Sequence, residues 1–359
     1  RDDVESRGLG DVYKRQYQSN EDNVFFAYSE FSYNTLVGAY EPFLDIICNM
    51  HRRFIGGSFD DFQKECGVYY LHRQVLNSYY ETGECFREET VLLNEVAYEQ
   101  RRMTMAIADM LKKLSEVKPL MIVINRFQMA STSSIETIKY LIDNPCANIG
   151  IVLGVNAIVK GTDSTVEVWD RIVESLEDRS VIYYIGSAGP LKNNVKTTND
   201  DELYITMNFE QSIQEASNIM EFLDFEQARR GCRIIEHKLK FEDAWIDEKS
   251  LRRFYMVYAR TSVLLGEMSK AIELTNEYKA LIPENDSEHY LSLYYFMKGT
   301  CYMYQGKLEK AGNSAKSAYD YAVLAEDDTL IFKAELLSVM IKTVSYTHLR
   351  AHETRSHLV

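Results

Sequence analysis

No two of the six cysteines form a C-x-x-C pair; Cys48, Cys66, Cys85, Cys146, Cys232 and Cys301 are widely spaced along the 359 residues. That spacing excludes a zinc ribbon and a small disulfide framework, and leaves buried free thiols in a reducing cytoplasm as the expectation. No apolar run approaches the ~20 residues that a membrane-spanning helix needs. Positive charge is in deficit: 40 Lys and Arg stand against 54 Asp and Glu, a formal net charge of −14. An acidic chain is disfavoured on phosphate backbones and on anionic membranes, so neither is an expected partner. A G-x-x-x-x-G-K-[ST] phosphate loop is missing too. The nearest glycine pair, Gly56-Gly57, lacks the lysine and reads as a turn. Nor is there a Ser/His/Asp or Cys/His arrangement. His51, His72, His237 and His289 fall in helix-like stretches and read as surface or packing residues.

What is present suffices for ordinary folded cores. Hydrophobic residues make up 46% of the chain, and the length suits about two domains. The two ends read differently from the rest. Ser6 to Gln16 resembles translated sequencing-adapter DNA, and Val344 to Thr354 resembles the opposite strand of the same adapter in another frame. Residues 1–16 and 344–359 are therefore set aside as non-native. With them go His348 and His352, whose i, i+4 spacing would otherwise suit a metal pair, and nearby His357. Charges cancel in residues 1–16, four basic against four acidic, and the tail carries two Arg and one Glu, so the span between is near −15.

Residues 17–190 alternate strand and helix patterns. Asn23 to Tyr28, Leu120 to Ile124, Ile149 to Gly154 and Val181 to Ile185 are short apolar runs, read as strands buried on both faces of a parallel sheet. Between them Glu89 to Val117 is long and amphipathic, Ser133-Ser134-Ile135-Glu136 reads as a capping box opening a helix, and Thr165 to Glu177 gives another. Strand–helix alternation argues for an α/β sheet.

The segment Leu120-Met121-Ile122-Val123-Ile124-Asn125-Arg126-Phe127-Gln128-Met129-Ala130-Ser131-Thr132-Ser133-Ser134 resembles the Walker B region of STAND and AAA-like P-loop NTPases. In those proteins an apolar strand ends in two acids and is followed by a short turn and a helix. The resemblance holds at Gln128, Ala130, Ser133 and Ser134. It implies a nucleotide-site rim at Asn125, Arg126 and Gln128, with Asn156 at the sensor position after the next strand. The two acids are replaced here by Asn125 and Arg126. An amide is a poor ligand for a hard cation, and a guanidinium cannot act as a base. The resemblance therefore implies ATP and Mg²⁺ as cofactors of a full-length protein, not of this chain alone, and the replacements argue against hydrolysis. It also implies that the phosphate loop and a central strand precede residue 17, so the sheet is expected to be incomplete.

Turn-rich polar residues 191–205 read as a linker, and 206–343 as helical repeats. Ala259, Gly266 and Ala271 share their spacing with Gly299, Gly306 and Ala311: a small residue, Gly seven on, Ala five further. Small residues let paired helices approach, and Gly ends the first helix. A weaker unit has Ala216, Leu223 and Ala228, with Leu where Gly is expected. This layout resembles tetratricopeptide repeats. The abundant Tyr290, Tyr294, Tyr295, Tyr302 and Tyr304 read as inter-helix packing.

The expected architecture is thus α/β then all-α: an incomplete P-loop-NTPase-like parallel sheet with flanking helices, followed by tetratricopeptide-like repeats. Together the resemblances imply a cytoplasmic, bacterial-type signal-transduction protein. Its repeats would bind a protein partner, its nucleotide-binding switch domain would be degenerate in hydrolysis, and its output domain would lie outside the chain. The alternative is a non-catalytic scaffold with a vestigial NTPase-like domain.

Overall fold

Three runs rich in β-branched and aromatic residues form one parallel sheet: β1 (Phe25–Glu30), β2 (Leu120–Asn125) and β3 (Ile149–Leu153), in the order β1-β2-β3. Phe25 pairs with Leu120, Glu30 with Asn125 and Leu120 with Ile149, so the carboxyl ends of all three strands share one edge. The computed structural model describes residues 23–31, 36–85, 95–155, 208–241, 246–285 and 287–356. The expected strand at 181–185, the helix at 165–177, the linker 191–205 and Asn156 lie outside the described residues.

β2 is buried on alternate residues, with Leu120, Ile122 and Ile124 inside and Met121 and Val123 half-exposed. The expectation of burial on both faces is corrected to burial on one, and in β3 Val152 is 49% exposed. Each fully buried Leu or Ile contributes roughly 1.5–3 kcal/mol.

Helices α1 (Phe43–Met50), α2 (Phe59–Glu65), α3 (Tyr70–Thr82), α4 (Val96–Val117) and α5 (Thr132–Asp143) surround this sheet in sequence. α4 buries Met103, Ile107, Met110, Leu111 and Leu114 along one stripe and packs on α5, which buries Ile135, Ile138 and Leu141. Spacing of three and four residues places each set on one helix face. The Gly56-Gly57 turn has positive φ at both positions and leads into Ser58, which caps α2 by accepting the N–H of Asp61. The cap of α5 is corrected. Ser131, not Ser133, is the N-cap, accepting the N–H of Ser134, while the Ser133 hydroxyl accepts the N–H of Tyr40 at 2.9 Å.

Helices α6 (Phe209–Glu221) and α7 (Phe225–Phe241) complete the first of two compact units, Arg1–Phe241 and Glu242–Val359. The sequence groups this helix pair with the repeats; in the structure it is seated on the first unit by buried polar groups. Asn218 accepts the N–H of Cys85 and donates to the carbonyl of Gly83, Gln227 donates to the carbonyl of Val37, and Gln100 donates to that of Leu223.

The second unit is helical throughout its described residues: α8 (Glu248–Leu264), α9 (Met268–Ala280), α10 (Ser287–Tyr304), α11 (Leu308–Leu324) and α12 (Asp328–Ser356). α8 packs on α9, α10 on α11, and α11 on α12. One turn geometry joins these pairs. Gly266 and Gly306 have positive φ; Gly266 N–H bonds Val263, Glu267 N–H bonds Ser262, Gly306 N–H bonds Met303 and Lys307 N–H bonds Tyr302. This is the Schellman closure, which satisfies the last carbonyls of a helix and requires a left-handed residue that glycine supplies without strain. The same pair of bonds recurs with Glu326 in the left-handed position before α12, and with Leu223 between α6 and α7. Ala259, Ala271, Ala311 and Gly299 are buried where helices meet; a Cβ on Gly299 would lie 3.0 Å from Leu337. Tyr294 is buried, and Tyr295 stacks on Tyr321, so these aromatics serve packing.

Candidate functional site

In open parallel sheets, ligands bind outside the carboxyl ends of the strands. Here that edge carries Glu30 from β1, Asn125 and Arg126 from β2, and Gly154 after β3. Asn125 folds its side chain back, so that Oδ1 accepts the N–H of Arg126 at 3.0 Å. Arg126 itself is left-handed, with φ of 57°, a conformation costly for a residue with a Cβ. The chain reverses there into a short 3₁₀ turn, Phe127–Met129. Gly154 closes the arrangement: its N–H donates to Ile124, its carbonyl accepts from Phe127, and a Cβ on it would meet Asn125 Oδ1 at 2.7 Å. Only glycine leaves room for Asn125 in this position.

The guanidinium of Arg126 lies 3.3 Å from Glu30 Oε1, and the Tyr28 hydroxyl donates to Glu30 Oε2 at 3.0 Å. Burial, with Glu30 close by, pushes the Tyr28 phenol above its ordinary value. Both oxygens of the edge carboxylate are thus engaged, and the pair is only partly shielded, with side chains 24% and 32% exposed.

Of the rim residues expected from sequence, Asn125 and Arg126 come together at this edge. Gln128 is buried in the turn that follows, and Asn156 lies outside the described residues. Glu30 was not among them. Its contribution depends on the β1–β2 register, which joins residues 95 positions apart.

The donor set does not suit Mg²⁺. Mg²⁺ takes hard oxygen ligands in an octahedral set, whereas this edge offers the amide of Asn125 and a carboxylate already held by a cation. Among the described residues no group of three or more His, Cys, Asp and Glu is arranged to hold a metal ion. What the edge offers is a guanidinium that an anion can compete for.

Two cavities lie elsewhere in the first unit. A cleft of about 540 Å³ is lined by α4 and α5, with Arg101, Glu136, Lys139 and Asp143 on its walls and Asp224 at its floor. Asp224 has no oxygen to spare, accepting the N–H groups of Ser133 and Gln227. A second cavity, about 340 Å³, is lined by Glu41, Asp45 and Glu215. His51 and His72 of this unit are packing residues. His51 Nδ1 meets the Tyr80 hydroxyl at 3.1 Å among Phe59 and Phe62, and His72 Nε2 lies 3.0 Å from Glu99.

No protein-family model, no curated protein and no solved structure matches the chain. Among the described residues no helix is long and apolar enough to cross a membrane.

Proposed function

We propose that the chain belongs to a cytoplasmic signal-transduction protein of the STAND type. In this reading a nucleotide-binding switch unit that does not hydrolyse is coupled to tetratricopeptide-like repeats that bind a protein partner. The observation that carries the reading is Arg126: it stands where the resembled family has an acid, at the carboxyl end of the central strand, and forms an ion pair with Glu30. A nucleotide phosphate competes with Glu30 for that guanidinium, which gives two states of one edge. The absence of an acid on β2 and the donor set around Glu30 support binding without turnover. The three Schellman turns of the second unit, two of them with glycine, support its repeat reading.

The self-contained Arg126–Glu30 pair favours a second reading, a scaffold whose edge no longer takes a ligand. Calorimetric titration of ATP into the full-length protein, with the phosphate loop that the resemblance implies, and into its Arg126→Ala variant separates the two. The switch reading expects binding that weakens at least about tenfold in the variant, the loss of one charge-assisted contact. No heat from either protein leaves the scaffold.

A further inference from the structure

We propose that Glu41, Asp45 and Glu215 form a proton-operated latch that seats α6 and α7 against α1 and α3. The three carboxyls line one cavity of about 340 Å³, together with Tyr79 and Asn218. Glu41 precedes α1, Asp45 lies in its first turn, and Glu215 comes from α6. Glu41 Oε2 accepts the N–H of Gly38 at 2.9 Å, and a Cβ on Gly38 would lie 2.9 Å from Glu215 Oε1 and 3.5 Å from Glu41 Oε2. Both glutamate carboxyls therefore lie close to Gly38.

Among the described residues, the charged groups that act on Glu215 are both acidic. They are Glu41, just before α1, and Asp45, in its first turn. α3 presents Tyr79, whose hydroxyl donates to Asp45 at 3.4 Å, and Cys48 and Cys85 in turn lie near Tyr79. α6 itself supplies Asn218, which hydrogen-bonds Glu215. The cation that acts on this cluster is Arg52, and it acts on Asp45 and Cys48. Burial, with Glu41 and Asp45 beside it, pushes the Glu215 carboxyl up to about 7. Burial likewise raises Glu41 and Asp45.

A carboxyl raised in the seated state adds stability that is complete below its solvent-exposed value and is lost as pH rises through the seated value. Acid therefore closes the latch. Near neutrality a proton leaves Glu215, its charge faces Glu41 and Asp45 in a poorly solvated cavity, and α6–α7 loosen. The contacts released are Asn218 with Gly83 and Cys85, and the edge-on packing of Phe222 against Tyr40 and Tyr79. The inference rests on this cavity alone and is independent of nucleotide binding.

Amide hydrogen exchange of the whole chain, with protection factors corrected for intrinsic rates, tests it. Single-proton linkage predicts that α6–α7 lose protection about fiftyfold between pH 5 and pH 8, while α4 keeps its own. Glu215→Gln strongly weakens the dependence, and Glu41→Gln shifts it to lower pH. Protection that does not change with pH, a loss shared equally by α4, or the wild-type dependence persisting in either glutamine variant overturns the latch. Glu41→Gln leaves α6 unaltered and decides the matter should Glu215→Gln fail to fold.

Discussion

Asp224 accepts the backbone N–H of Ser133 at 2.9 Å across 91 residues of chain, and its other oxygen accepts the N–H of Gln227 at 3.3 Å. One carboxylate thus caps two helix N-termini, those of α5 and α7, and ties the second helix pair to the helix that follows the candidate edge. A buried carboxylate is costly. Burial raises the Asp224 carboxyl, and the hydrogen bonds from Ser133 and Gln227 pull it back down.

Asp224→Ala uncaps α7 and leaves the buried N–H of Ser133 in the first turn of α5 without its acceptor, while Ser131 still caps α5. A lost cap costs about 0.5–2 kcal/mol and an orphaned buried donor about 1–3. The expected loss is ~3 kcal/mol of the first unit's stability, read from the denaturation midpoint. A loss below about 0.5 kcal/mol, the range of an ordinary surface substitution, would show that the carboxylate is not a tie.

The Schellman turns make a paired test. Glu326 is exposed and left-handed, with φ of 52°, so Glu326→Gly is expected to stabilise the second unit by roughly 1 kcal/mol. Gly266, with φ of 79° and open space around it, predicts the reverse: Gly266→Ala costs about 1 kcal/mol. Thermal unfolding of the two variants checks the opposite signs.

How much of this was legible follows from the range of each interaction. β1, β2 and β3 were visible because a short run of β-branched residues is a local property. The Gly266 and Gly306 turns were visible because glycine marks left-handed backbone. Leu223 and Glu326 carry the same conformation with no such mark, and Leu223 is held there by its burial. The α5 cap was misread because Ser131, Ser133 and Ser134 all offer hydroxyls within four positions, and the choice between them is made by Tyr40, whose N–H takes Ser133. Glu30 and Asp224 were invisible for one reason: each acts on a residue some 90 positions away, through strand register or helix docking. The strand alternation of β2 was masked by the half-exposed Met121 and Val123, which are as apolar as its buried residues.

His51 gives a pH signature opposite to that of the carboxyl cavity. Burial, with Arg52 adjacent, lowers its imidazole below the ordinary value, and its Nε2 is buried without a partner. A histidine lowered on folding contributes stability that is present above its unfolded value and is lost as pH falls through the folded one. His51→Phe keeps the aromatic contacts with Phe59, Phe62 and Tyr80 and removes the titration. Melting temperatures between pH 7 and pH 5 are therefore expected to fall more steeply in the wild type than in the variant, and parallel curves would contradict this.

Arg126 can be dissected in the same way. Arg126→Gly relieves the left-handed backbone while losing an ion pair that is partly exposed and worth about 0–1 kcal/mol; it is expected to be neutral or slightly stabilising. Arg126→Ala loses the pair and keeps the strain, and is expected to cost up to ~1 kcal/mol. Equal denaturation midpoints for the two variants would show that the backbone at this edge is unstrained.

On the proposed switch reading, the edge of the sheet takes a nucleotide and does not cleave it. The direct measurement is release of inorganic phosphate from saturating ATP, with Mg²⁺, by the full-length protein and by its Glu30→Gln variant, alongside calorimetric binding of the same nucleotide. Binding with no release above background in either protein is the predicted result. Release by the wild type that disappears in Glu30→Gln would contradict it, placing a working carboxylate on β1 in place of the acids missing from β2.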